Sequence, residues 1–412
     1  MTSIHFDKPY TGSDQVTEEA SFSNNAQAKV GRVLLVGMGA DIGSNLLYLS
    51  TTADVAYPIT DVLTHSIDSE GIAAADRGPL EELKARLLLA NPHLLGRITI
   101  DSSNCLLAID KCTFRIHFRD LDEVLDDLGY FDLIVLATSR RHIRSQNYLD
   151  KLESISRVVI GVAENSALPA LYPALLSANS QHFLASRTTV ATELSGSYAM
   201  GSCQCVGWTT GLRILADTCA NRGVALHDIL IHTEIDIVHP DTASSNFGTT
   251  RVGSRTEDPR DNLRPGVSQV AESMLRFSPA TSSNSVSLRV LTQPPGYQVQ
   301  RFFLRGLDIS AEDIIGAAKA LESAEPCLIH VTNNPIGSRC YAFLPCSIVL
   351  LATEQHISIK RIGDIVEVVL QAFVHNTLGY CAAILAATDR ILRGDIVTFI
   401  DSHDQITIEG KK

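Results

Sequence analysis

Residues 30–49 read VGRVLLVGMGADIGSNLLYL, and the fold is decided by this stretch. The apolar run Val33–Val36 has the pattern of a strand buried on both faces. Gly37, Gly39 and Gly43 follow it, and SNLLYLST then takes up the apolar spacing of a helix. A glycine turn between a buried strand and a helix is suited to hold a pyrophosphate. No Cβ keeps the backbone away from the phosphates, and the helix N-terminus favours an anion. The spacing is GxGxxxG, one residue longer than the common dinucleotide fingerprint, with Asp41 and Ile42 inside it. The turn predicts NAD or NADP as cofactor. An acid closing the second strand would bind the adenosine ribose. Asp68 is the nearest candidate, 25 residues after Gly43, against about 20 in the usual pattern. A solvated loop aspartate explains it equally well, so the choice between NAD and NADP stays open.

Working outward, residues 1–29 are polar and aperiodic, the composition of a mobile arm. From Val30 strands and helices alternate: DVLTHSI, the amphipathic LEELKARLLLA, three short strands, the helix LDEVLDDLG, and the buried strand FDLIVLATS. This alternation predicts an α/β fold with a parallel, doubly wound sheet over 30–200, a Rossmann dinucleotide-binding domain. A second, α+β catalytic domain is expected over 201–373. It holds a helix in TTGLRILADTCANRG, a strand in HDILIHTEIDIV, a long loop over 240–266 and a helix in VSQVAESMLRF. Residues 374–412 carry a long helix that returns to the first domain, then a tail that reads as a further strand pair.

The chain has 412 residues, 45% of them hydrophobic, enough for two domains with cores of their own. A net charge of −12 and the absence of any Lys/Arg run argue against nucleic acid as a partner. Nine irregularly spaced cysteines include no paired CxxC units, so no metal site is expected and a reducing compartment is. The opening MTSIHFDKPY has no apolar core of a secretory signal, and no uncharged apolar run reaches membrane-spanning length. The expectation is a cytoplasmic protein with no membrane partner.

Five landmarks from Val30 to Leu392 fall in the order of one known family. They are the turn Gly37–Gly43, the LATS that ends a strand at Ala137–Ser139, the segment DNLRPGVSQVAESM, the strand SLRVLTQPP at 287–295, and VHNTLGYCAAILAATDRIL at 374–392. Together they resemble the phosphorylating glyceraldehyde-3-phosphate dehydrogenases. The resemblance implies that Thr138 lies beside the adenine, that Arg289 and Ser268 bind substrate phosphate, and that Asn376 holds the nicotinamide amide. It implies a small phosphorylated substrate, a homo-oligomer, and a cysteine that opens the first helix of the second domain. In that family the thiolate attacks an aldehyde, hydride leaves to NAD, phosphate releases the acyl thioester, and a nearby histidine handles the proton.

At the nucleophile the sequence departs from the family. It reads GSCQCVGWTTGL, and three alignments compete. A local match makes Cys203 the nucleophile. Cys205 instead leaves His232 27 residues downstream, close to the family separation. A match of GWTTGL to an archaeal variant puts Gly207 at the position and leaves no catalytic cysteine. The histidine is equally open: His232 and His239 lie seven residues apart, on opposite faces of an ideal strand, and only one can face the cysteine. Glu234 shares a face with His232 and could replace it as base. Arg251, Arg255, Arg260 and Arg264 in the long loop suggest capture of an anion, though Glu257, Asp258 and Asp261 balance them. Two functions follow. One is NAD(P)-dependent oxidation or reduction of a phosphorylated aldehyde or acyl phosphate through a cysteine thioester. The other is a divergent, non-redox member, a binding or regulatory protein or a specialised-pathway enzyme, that keeps the fold and the nucleotide site.

Overall fold

The computed structural model describes residues 31–38, 41–52, 55–65, 78–178, 188–240, 264–266, 268, 270–277, 282–290, 292 and 294–401. The expectations for residues 1–29, Gly39, Asp68, Arg251, Arg255, Arg260 and 402–412 lie outside these.

The first half of the chain forms β1 (Val33–Val36), α1 (Asp41–Thr52), β2 (Asp61–Thr64), α2 (Pro79–Ala90), β3 (Ile98–Asp101), β4 (Leu106–Ile109) and β5 (Cys112–Phe118). It continues with β6 (Phe131–Leu136), α3 (Arg140–Ile143), α4 (Gln146–Ser154), β7 (Ser156–Gly161), β8 (Thr188–Ala191) and β9 (Gly196–Ala199). One sheet runs in the order β3-β4-β5-β2-β1-β6-β7-β9. Every pair from β5 to β9 is parallel, and β3 and β4 add an antiparallel edge. β1 sits inside the sheet with all four residues at most 2% exposed. Val33 and Leu35 pack with Leu46 and Leu47 of α1, whereas Leu34 and Val36 pack with Leu149 and Leu152 of α4. The sheet is therefore covered on both faces, as the continuous apolar run requires.

LDEVLDDLG is not the expected helix. Only Asp126–Leu128 make a short helical turn. Leu121, Leu125 and Leu128 still reach the core. The backbone is diverted because Glu123 accepts from the Asp120 N–H, Asp120 accepts from the Asp122 N–H, and Arg119 pairs with Asp127. Such local side-chain bonds compete with a helix for the same amides.

The second half forms α5 (Cys203–Asn221), α6 (Leu226–Ile229), β10 (Leu230–Pro240), β11 (Arg264–Pro265), α7 (Val270–Phe277), β12 (Ser282–Val290) and β13 (Gly296–Arg305). Then come α8 (Ala311–Ala324), β14 (Ile329–Thr332), β15 (Ile348–Leu351), β16 (Ile357–Ile362), β17 (Ile365–Val374), α9 (Leu378–Arg393) and β18 (Val397–Ile400). A mixed sheet of order β11-β12-β10-β13-β17-β15-β14, with β16 also on β17, makes the second layer. Burial alternates strictly along β13 and β17, the mark of a sheet with one covered face. The covered face packs against α5, and Gln298 on it bonds the Gln204 carbonyl. α9 returns to the first layer: the Tyr57 N–H bonds Asp389, and the Cys381 thiol reaches the Ile42 carbonyl. Of the tail, the described β18 pairs with β8. The chain is thus mixed α/β. No helix among the described residues is long and apolar enough to cross a membrane.

Asp61 ties the start of β2 to its neighbours. It accepts from Arg32 Nη2 at 2.9 Å and from Thr60 Oγ1 at 2.8 Å, and it meets His117 Nε2 at 2.9 Å. Burial alone would raise its carboxyl, but the hydrogen bonds from His117, Thr60 and Arg32 outweigh burial and hold it below the usual carboxylate range. An acid with a depressed folded value contributes stability above its unfolded value and loses it as pH falls through the folded one. Asp61→Asn is expected to cost about 1–3 kcal/mol in urea unfolding at neutral pH. The gap between variant and wild type should close below about pH 4. A gap that stays constant with pH would refute the assignment.

Candidate functional site

Two of the three turn glycines are required by geometry. Gly37 has φ +92°, and a Cβ there would lie 2.5 Å from Thr138 Cγ2 and 3.0 Å from the Ala137 carbonyl oxygen. A Cβ on Gly43 would fall far inside contact distance of the Gly37 carbonyl oxygen and 2.8 Å from Met38 Cα. The first turn of α1 is thus pressed directly onto the turn that leaves β1. The Gly37 N–H bonds the Leu63 carbonyl at 2.9 Å, which fixes the turn to β2 as well. Thr138 lines it from the end of β6, and its hydroxyl is buried without a partner among the described residues. Asp41 and Ile42 open α1.

The nucleophile candidates differ sharply. α5 starts at Cys203, capped by Ser202, whose hydroxyl accepts from the Cys205 N–H. Cys203 is partly exposed at the first helical position, where aligned peptide dipoles favour negative charge. Cys205 is fully buried. Burial first, then the nearby Glu164 carboxylate, pushes its thiol well up. Gly207 is packed so tightly that a Cβ would lie 2.8 Å from Val374 Cγ2. The start of α9 links the start of α5 to α1. Tyr380 there donates to the Gly201 carbonyl at 2.6 Å, and the next residue, Cys381, reaches the Ile42 carbonyl at 3.4 Å.

The second sheet brings further candidates to the same end of α5. Paired residues share a face, and Ile235 and Ile237 of β10 face α5 together with Gln300 and Gln298. His239 continues that row. His232 falls in the opposite set: it bonds Ser282 Oγ at 2.6 Å, approaches Glu234 and leans on Phe303. The structure therefore does not bring His232 or Glu234 to the cysteines, and His239 is the histidine on their side. His239 Nδ1 lies 2.9 Å from the Pro240 carbonyl, which only an N–H can satisfy, so in the neutral ring the lone pair is on Nε2. Arg289 is its register partner on β12, and Arg264 is in turn the partner of Arg289 on β11. Ser268 caps the approach to α7 by accepting from the Val270 N–H. Asn376 follows β17 by two residues, and its Oδ1 is buried with no partner among the described residues. Beside it, burial pushes the imidazole of His375 down to about 4, so it is neutral when it bonds the Tyr341 carbonyl.

Sequence reasoning missed the polar layer beneath α5. Gln298 Nε2 donates to Gln204 O and Oε1, and Gln300 Nε2 donates to Gly207 O and Gln298 Oε1. The signal was available in YQVQRFFLRG, where glutamines occupy two positions that period-2 alternation assigns to the covered face. Glu164 and Arg276 were also missed. Both are at most 1% exposed and form an ion pair, and Tyr172 and Ser273 donate to the Glu164 carboxylate. Among the described residues no group of His, Cys, Asp and Glu could hold a metal ion.

No protein-family model matches the chain, and no curated protein matches it.

Thiol accessibility gives a direct check. In native protein, iodoacetamide should modify Cys203 along with the exposed Cys105 and Cys340. Cys205, Cys219, Cys346 and Cys381 should react only after unfolding, since all four are buried and burial raises Cys219 and Cys346 to about 12. Peptide mapping that finds native Cys205 modified as fast as Cys203 would contradict this geometry.

Proposed function

We propose that the chain is an NAD(P)-dependent oxidoreductase of the glyceraldehyde-3-phosphate dehydrogenase type, acting on a small phosphorylated aldehyde or acyl phosphate. The observation that carries this reading is that the start of α9 joins both parts of the site: Tyr380 bonds the Gly201 carbonyl just before Cys203, and Cys381 bonds the Ile42 carbonyl of α1 behind the glycine turn. A thiol and a dinucleotide cradle standing side by side are what thioester redox chemistry needs. The strand order supports the Rossmann part of the reading. From β5 through β2, β1, β6 and β7 to β9, the parallel strands run third, second, first, fourth, fifth and sixth, the doubly wound order of dinucleotide-binding sheets.

The residues fit such a cofactor. Gly37 and Gly43 let α1 start directly on the turn that leaves β1, the close approach a pyrophosphate-binding turn requires, and the buried, unpartnered Oδ1 of Asn376 is the acceptor that a carboxamide NH₂ calls for. When bound, the nicotinamide takes or gives the hydride. Everything else falls to the chain. Arg289, with Ser268, binds the substrate phosphate through charge-assisted hydrogen bonds. The Cys203 sulfur adds to the carbonyl carbon as its proton passes to His239 Nε2, and the acyl group stays on sulfur until an acceptor such as inorganic phosphate displaces it. Cys205 takes no part, because a buried thiol held protonated is a poor nucleophile. The same resemblance extends the proposal to a homo-oligomer.

The test is formation of reduced cofactor from glyceraldehyde 3-phosphate and related phosphorylated aldehydes, with inorganic phosphate and either nucleotide. Cys203→Ser should lower kcat about a thousandfold or more, and His239→Asn about a hundredfold or more. Cys205→Ser and His232→Asn should keep kcat within about threefold of the wild type. Tight nucleotide binding without turnover on any of these substrates would instead favour the divergent, non-redox reading.

A further inference from the structure

The chain between β9 and α5 is short and tightly held. Up to Met200 it is fixed to the end of β7 and to residues 169–171. The Ala199 N–H bonds the Pro169 carbonyl, the Leu171 N–H bonds the Ala199 carbonyl, and the Met200 N–H bonds the Gly161 carbonyl, each at 2.9 Å. Ser202 already caps the helix, and Cys203 is its first residue. Gly201, at φ +74°, makes the turn between the two, a backbone conformation that favours glycine. A Cβ on Gly201 would lie 2.8 Å from Tyr172 Cε1 and 3.1 Å from Cys205 Sγ, so the joint is wedged against the Tyr172 ring. Its carbonyl accepts from Tyr380 on the other side.

The ring is held from its far end. Tyr172 is fully buried, and its hydroxyl stands 3.1 and 3.0 Å from the two carboxylate oxygens of Glu164, which is fully buried as well. Burial first, then Cys205 and Glu164, push the phenol well above its usual range, so it remains the donor. Glu164 is in turn fixed by Ser273 Oγ at 2.8 Å and paired with Arg276, both on α7. A well-packed apolar side chain fills such a place without the desolvation cost of a charge, so packing alone does not account for Glu164. What the carboxylate adds is a fixed place for one phenol ring, and that ring bears on the joint before Cys203.

We infer that Glu164 and Tyr172 are positioning residues for Cys203: acting through Gly201, they set where α5 begins and so hold Cys203 at its first helical position. The inference rests on the reading of Cys203 as the nucleophile. At that position the aligned peptide dipoles favour a thiolate. Without the phenol–carboxylate bond the ring is untethered, the joint loosens, and the thiol loses part of that stabilisation.

The test is the pH profile of iodoacetamide alkylation of Cys203 in the native full chain, followed by peptide mapping, with the exposed Cys105 and Cys340 as internal references. In the wild type the Cys203 midpoint should lie below those of the references. Tyr172→Phe keeps the ring and removes only the hydroxyl. In that variant Cys203 should slow about threefold or more relative to Cys105 at pH 7, with its midpoint raised. Glu164→Gln is a milder lesion that keeps an acceptor for the phenol, and it should move the profile the same way by less. Tyr198→Phe is the control: its hydroxyl bonds the Ser195 carbonyl just before β9, and its loss should leave the Cys203 profile unchanged. Circular dichroism melts report folding and stability. A Cys203 profile that stays with the wild type in whichever of the Tyr172 and Glu164 variants folds, while Tm falls, overturns the inference and leaves Cys203 as nucleophile. A wild-type Cys203 no more reactive than Cys105 and Cys340 overturns both.

Discussion

How close a helix can come to a sheet depends on the smallest side chains between them. α5 lies on β13 and β17 through Gly207 and Gly211, one helical turn apart, and at neither position is there room for a Cβ. That approach brings the helix backbone within reach of Gln298 and Gln300. Two buried glutamines would be costly if left unbonded. They bond each other, the Gln204 side chain and two carbonyls of α5, so the sheet holds the helix by a directional lock as well as by contact. The lock grips the first two turns of α5, and the position of Cys203 follows from it.

A second polar group governs what lies under the same helix end. Glu164 follows β7, and Arg276 lies on α7, so their ion pair joins the first layer to the second. Charges this deeply buried are costly unless they are paired and hydrogen-bonded, and here Arg276 Nε and Nη1 have no hydrogen-bond partner among the described residues. Tyr172 and Ser273 bond the carboxylate, while Arg276 also reaches the carbonyls of Asn165 and Leu168. The carboxylate beside Cys205 disfavours a second negative charge there. Two cysteines separated by one residue are thereby given opposite characters: one partly exposed at a helix start, the other kept neutral in the interior.

How much of this was legible in the sequence varies with how local the cause is. β1, the glycine turn and α1 could be read because a continuous apolar run and three glycines carry their own explanation. The LDEVLDDLG segment was misread because its leucine spacing fits a helix, while the carboxylates that divert the backbone act through bonds no periodicity records. The start of α5 was missed because its first turns, CQCVGW, are buried on nearly every side, which leaves no polar face to mark a period. Glu164 and Arg276 were invisible because they are 112 residues apart in the chain and each alone reads as an ordinary surface charge.

The choice between histidines is where local logic and family likeness part. Sequence separation from a cysteine favoured His232, because a family distance was matched from Cys205. Parity along the strand is the stricter constraint, since a side chain cannot change face without a bulge. From Thr233 to Val238, β10 pairs with β13 one for one; the only irregularity falls before this, between Leu230 and His232. The face of Ile235 and Ile237 is therefore fixed as the one under α5, and parity carries it on to His239. Arg289 pairs with His239 directly, so an imidazole and a guanidinium arrive on the same face from two strands. The proposed set of Cys203, His239 and Arg289 therefore rests on register, since no short motif contains any two of them.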